Sequence, residues 1–119
     1  MKRKILTAIS AIIIISLSFW GCSKEISGYN NDSNNDPHKI YMKNSVFSNT
    51  SLRVTVGTTV TWVNDDTQVH TVTADDGSFH SGDMAVNASF STTFNAIGTY
   101  PYHCNYHSNM TGTIIVVTR

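Results

Sequence analysis

An all-β domain is the fold class this sequence predicts, and three observations carry that expectation. From residue 38 onward, apolar residues alternate with polar ones in short runs. Gly, Asn and Asp clusters separate those runs, and no stretch keeps a helical apolar period over three turns. Residues 52–56 alternate and Gly57 turns the chain; residues 59–63 alternate again, with Trp62 as a core candidate, and Asn64-Asp65-Asp66 closes the run. Residues 69–73 read as a strand, Asp75-Asp76-Gly77 as a turn, residues 90–94 as a strand and Ile97-Gly98 as a turn. Residues 99–103 extend toward Cys104, and the β-branched run 113–118 reads as the last strand. Six to eight strands in roughly 80 residues make an all-β sandwich or a small barrel.

The chain's 119 residues suffice for one domain. With 40% apolar and only 13% charged residues, it is neither a coiled coil nor a charge-rich disordered chain. The formal charge of zero hides an asymmetry: Lys2, Arg3 and Lys4 open the chain, and from residue 22 onward the net charge is −3. A mildly acidic domain without a basic stripe predicts no nucleic-acid partner and no attraction to an anionic lipid surface.

Lys2-Arg3-Lys4 followed by an apolar stretch from Ile5 to Trp20 has the form of a signal peptide, predicted over residues 1–21. The stretch is short for a membrane span. Gly21-Cys22 at its end resembles the lipobox of bacterial lipoproteins, which implies that Cys22 is lipidated and becomes the first residue of the mature chain. An uncleaved anchor and ordinary signal cleavage are the alternatives. Residues 22–36 hold almost no apolar side chains and read as the lipidated Cys and a flexible tether, with the folded domain over 37–119.

The chemistry lies near the C-terminus. Cys104, His107 and Met110 place a thiolate, an imidazole and a thioether within seven residues, and a second imidazole, His70, lies in an earlier strand that a sandwich can fold alongside. Two His, one Cys and one Met is the donor set of a mononuclear blue-copper site. Thiolate suits Cu(II), thioether favours Cu(I), and imidazole suits both, so little has to move when an electron arrives. His103 directly precedes Cys104, and alternation points it to the opposite face. His38 and His80 read as surface residues, and Met84 as either core or an apolar rim. Pro101 is expected at an edge or a non-bonded position of its strand.

From Val54 onward the chain resembles the cupredoxins of the plastocyanin and amicyanin type. The matching landmarks are Val56-Gly57-Thr58-Thr59-Val60-Thr61-Trp62-Val63-Asn64, then His70-Thr71-Val72, Gly77-Ser78-Phe79-His80-Ser81-Gly82 and Gly98-Thr99-Tyr100-Pro101-Tyr102-His103-Cys104. Cys-x2-His-x2-Met is the short amicyanin-like loop, here with Asn105, Tyr106, Ser108 and Asn109 where such loops carry prolines. The resemblance implies a cupredoxin-like Greek-key β-sandwich of seven to eight strands, one type 1 copper, and the ligands His70, Cys104, His107 and axial Met110. It also implies a backbone amide, that of Thr71, bonded to the sulfur. The expected function is one-electron transfer between envelope redox proteins, with a cytochrome c, a terminal oxidase or a reductase as partner. The expected form is a monomer held to a membrane by its lipid anchor and facing the periplasm or exterior, and not an enzyme. A copper-binding or copper-delivery protein of the envelope is the rival reading.

Overall fold

The computed structural model describes residues 36–119. The predicted signal peptide, Cys22 and the tether up to residue 35 lie outside the described residues. The described strands are β1 (Lys39–Lys43), β2 (Val46–Phe47), β3 (Ser51–Thr55), β4 (Thr58–Asn64), β5 (Thr73–Ala74), β6 (Ser89–Phe94), β7 (Gly98–Cys104) and β8 (His107–Val117). They form two four-stranded sheets, ordered β2-β1-β4-β6 and β3-β8-β7-β5. The pairs β1–β4 and β3–β8 are parallel, and the other ladders are antiparallel. The fold is the expected all-β sandwich, with eight strands.

Alternation along the strands builds the core. Ile40 and Met42 of β1, Val60 and Trp62 of β4, Tyr102 and Cys104 of β7, and Met110, Ile114 and Val116 of β8 all point inward and are buried. Each large aliphatic side chain removed from water this way contributes roughly 1.5–3 kcal/mol. Trp62 sits at the centre, its ring 5.4 Å from Tyr102, 5.8 Å from Phe79 and 5.9 Å from Phe90. The Tyr102 ring lies across its cross-strand partner Gly112, where a Cβ would come within 2.5 Å of the ring, so only glycine fits. The Trp62 indole N–H and the Tyr102 hydroxyl are both buried without a hydrogen bond of good geometry. Burial pushes the Tyr102 phenol up to about 12, with the nearby indole pulling it down.

Three expectations need correction. Residues 69–73 form no strand; only Thr73 and Ala74 join a sheet, as β5. His70, Thr71 and Val72 are buried in succession, unlike a sandwich strand with one face in solvent, which alternates. Their N–H groups go instead to the Met84 carbonyl, the Cys104 sulfur and the Ser81 hydroxyl. The last strand begins at His107 rather than near residue 113, so the turn after Cys104 is only Asn105-Tyr106. Finally, β1 was not anticipated, although Lys39-Ile40-Tyr41-Met42-Lys43 alternates cleanly and the two residues after it form a turn. Pro101 behaves as expected. Its carbonyl accepts the Asp75 N–H, and its partner Thr113 donates to Thr50 on the far side, so the imide nitrogen breaks no β7–β8 bond.

Candidate metal centre

Cys104 and His107 are direct cross-strand partners across a two-residue turn, which sets their side chains on one face. One step earlier, His103 pairs with Thr111, so Ser108, Asn109 and Met110 are extra residues that bulge out of β8. The bulge shifts the inward face of β8 by one residue, and buried Met110 follows exposed Ser108 and Asn109. His70 comes from the irregular segment between the sheets, pinned by two backbone bonds with Met84 of 3.3 and 2.8 Å. Met84 is itself buried, so it packs beside the centre as part of the core.

The donor atoms of His70, Cys104 and His107 all lie within 4.8 Å of one another. The Cys104 Sγ is 3.7 Å from His70 Nδ1 and 3.6 Å from His107 Nδ1. Metal bonds of about 2.0 Å to nitrogen and 2.3 Å to sulfur, meeting at an open angle, set such donors roughly 3.5–3.8 Å apart. The residues therefore fit one small ion. The Thr71 N–H donates to the same sulfur at 3.4 Å, as the resemblance implies. The Thr71 hydroxyl accepts the Asn105 N–H at 2.8 Å, which ties the β7–β8 turn to the His70 segment.

Each imidazole has a second partner behind it. His70 Nε2 bonds Asp66 Oδ2 at 2.9 Å, and His107 Nε2 bonds Gln68 Oε1 at 3.1 Å. These bonds place the ring proton on Nε2 and leave Nδ1 free to ligate. The Asp66 carboxyl is held down at about 2, first by the His70 bond and then by the backbone N–H groups of Ser45 and Thr67. Asn64, an inward-pointing polar residue at the end of β4, clips the whole segment. Its side-chain amide donates to the Gln68 and Met84 carbonyls at 2.8 Å, and its Oδ1 accepts the Asp66 N–H at 3.0 Å. In the sequence Asn64-Asp65-Asp66 reads as a simple turn, and Gln68 carries no local signal. A polar side chain in phase with Val60 and Trp62 was the signal available.

The remaining histidines stand apart from the donor group. His103 points away from the sulfur and bonds Asp75 at 2.6 Å, His80 is exposed and bonds Thr73 at 3.1 Å, and His38 is exposed. At the mouth of the centre, Tyr106 is exposed and donates to Asp83 at 2.7 Å. That carboxylate raises the phenol above its ordinary range.

The chain is 36% identical over 70 residues to amicyanin from Paracoccus denitrificans, a match covering 55% of this chain and 53% of the relative. It thus spans about half the length of that relative. Plastocyanin from Scenedesmus fuscus is 37% identical over 84 residues, covering 60% of this chain and 86% of the relative. Among solved structures, a reduced Cu(I) form of an amicyanin mutant matches with a TM-score of 0.62 at 31% identity, covering 66% of this chain and 80% of that one. A model of the cupredoxin-like domain matches residues 11–116. With a match over most of its length, and donors spaced for one ion, the chain belongs to the cupredoxin-like domain family and its cofactor is a type 1 copper.

Proposed function

We propose that the protein is a one-electron carrier of the cell envelope and that His70, Cys104, His107 and Met110 are its copper ligands. One observation carries the reading: a thiolate and two imidazoles converge in the interior, yet one imidazole reaches the surface. Bound copper supplies the Cu(II)/Cu(I) couple. Cys104, buried in β7 and fixed by the Thr71 N–H, is the strong donor that the oxidised ion needs. Met110 adds a weak thioether suited to the reduced ion. His70 is locked in the interior, and His107, half-buried, is the ring through which an electron passes between the interior and a docked partner. Around it, exposed Val69 and Tyr106, with Ser108 and Asn109, offer a small, weakly polar face. Such a face suits brief encounters with a redox protein such as a cytochrome c, an oxidase or a reductase.

The predicted signal peptide and lipobox support the envelope location. A Cys22 carrying two acyl chains would hold the monomeric domain to a membrane, where a single chain binds only marginally. Copper delivery would use the same donors. Mixing the reduced protein with oxidised cytochrome c separates the readings: a carrier transfers one electron per copper and keeps its ion, whereas a delivery protein gives up Cu(I) to a chelator on the same timescale. Fatty-acid labelling that tags Cys22→Ala as strongly as the native chain would rule out the anchor.

A further inference from the structure

We propose that Asp66 is the positioning residue of the metal centre: through His70 it sets which ring nitrogen faces Cys104, and its charge favours the oxidised ion over the reduced one. The inference deepens the carrier reading and rests on it.

Asp66 is built into the fold as a fixed acceptor. Its Oδ2 takes the His70 Nε2 proton and the Ser45 N–H, each at 2.9 Å, and its Oδ1 takes the Thr67 N–H at 2.7 Å. The Ser45 N–H is delivered by the two-residue β1–β2 turn, in which Asn44 and Ser45 adopt left-handed φ values of 54° and 57°. Asn44 is a residue that tolerates this conformation, whereas Ser45 takes it less readily. Asn64 accepts the Asp66 backbone N–H, so the carboxylate is fixed from both ends.

An ionised carboxylate only accepts, so Nε2 carries a proton, and in the neutral ring that a metal requires Nδ1 is then bare. Nδ1 is the atom that faces the sulfur. The His70 side chain is 0% exposed and that of Asp66 only 9%, so solvent screens the pair weakly. A carboxylate behind a ligating imidazole strengthens the ring as a donor and places negative charge near the ion, and both effects favour the higher oxidation state. His107 has the neutral amide of Gln68 in the same position, which orients its ring without adding charge. The adjacent carboxylate provides an internal control. Asp65 is half exposed, pairs with Lys43 at 3.2 Å and makes no bond to His70.

The test measures reduction potentials of the copper-loaded chain, together with ring-nitrogen NMR of the metal-free chain. Asp66→Asn removes the charge and, with its amide oxygen turned to His70 and Ser45 and the Thr67 bond given up, keeps an acceptor for Nε2–H. His70 should retain its Nε2–H tautomer while the preference for Cu(II) over Cu(I) falls about tenfold, a rise of about 59 mV. Asp66→Ala removes acceptor and charge together, so the His70 tautomer should become mixed and Cu(II) affinity should fall about 10- to 100-fold. Asp65→Asn should leave the potential unchanged. A potential that rises equally in Asp65→Asn and Asp66→Asn, or in neither, overturns the proposal, as does an alanine variant whose His70 remains wholly Nε2–H. If Asp66→Ala does not fold, the asparagine pair still decides. If the native chain shows no thiolate-to-copper absorption, the carrier reading fails, and the tautomer comparison of the metal-free chains still judges Asp66.

Discussion

His70 and His107 present the same ring atom to the same sulfur at nearly the same distance, 3.7 and 3.6 Å, but they are held in opposite ways. His70 is fully buried, backed by a carboxylate and pinned between the sheets. His107 opens β8, stays half-buried and is backed by an amide at the surface. One donor is thus fixed inside the core while the other stands where a partner could reach it. One side of the centre belongs to the core and changes only if the core changes. The other belongs to a hairpin whose outer edge meets solvent.

The largest expected effect sets the two rings directly against each other. His107→Gly should lose the visible copper absorption and recover much of it on addition of free imidazole, which can reach a half-buried position. His70→Gly should not be rescued, and it should also lose about 2–5 kcal/mol of stability, as large-to-small changes in cores do. Copper titrations with and without imidazole, alongside urea unfolding, check both. Equal rescue of the two variants would break the comparison.

The core side can be probed without touching a ligand. Gly112→Ala places a Cβ against the Tyr102 ring, so it should cost about 1–3 kcal/mol by denaturant unfolding. Unchanged stability would mean that the ring moves freely, and that the frame beneath Met110 is softer than the packing implies.

Much of this was legible in the chain. Cys104, His107 and Met110 fall within seven residues, and their chemistry names the metal class without any structure. Alternation around Trp62 and the β-branched run in 113–118 likewise mark β4 and the second half of β8, but not its start at His107. What stayed hidden depends on long-range pairing. The segment His70-Thr71-Val72 is β-branched and apolar enough to read as a strand, yet its N–H groups are satisfied by a sulfur, a hydroxyl and one distant carbonyl. The three-residue bulge that buries Met110 follows from the register of β7 on β8, which no local pattern encodes. Asp66 was invisible for the same reason, since its partners Ser45 and His70 meet only in the folded sandwich.

A smaller effect sharpens the assignment of Met110. Met110→Gln replaces the thioether with a harder oxygen donor, so the potential should fall, by about 59 mV for each tenfold loss of preference for Cu(I). Voltammetry that finds the potential unmoved or raised would remove Met110 from the ligand set.

The smallest effect is electrostatic and is read on the metal-free chain. The Asp66 carboxyl is lowered from 3.8 to about 2, so it binds protons more weakly folded than unfolded. Its contribution to stability is present above pH 3.8 and is lost as pH falls through about 2. Asp76, lowered by the Ser78 hydroxyl and N–H, acts in the same direction. Acid unfolding followed by circular dichroism should therefore show a gentler loss over this window in Asp66→Asn. A profile identical to the native one would mean that the bonds to His70, Ser45 and Thr67 persist on unfolding or do not form.

A thiolate-bound copper that cycles by single electrons can be followed in one titration. The Cu(II)-loaded chain is reduced and reoxidised in measured equivalents while its visible absorption is recorded. The oxidised chain should show an intense band from charge transfer between Cys104 and the metal, bleached by one reducing equivalent per copper and restored by one oxidising equivalent. Weak absorption in the oxidised state, or a band that one equivalent fails to bleach and restore, would contradict it.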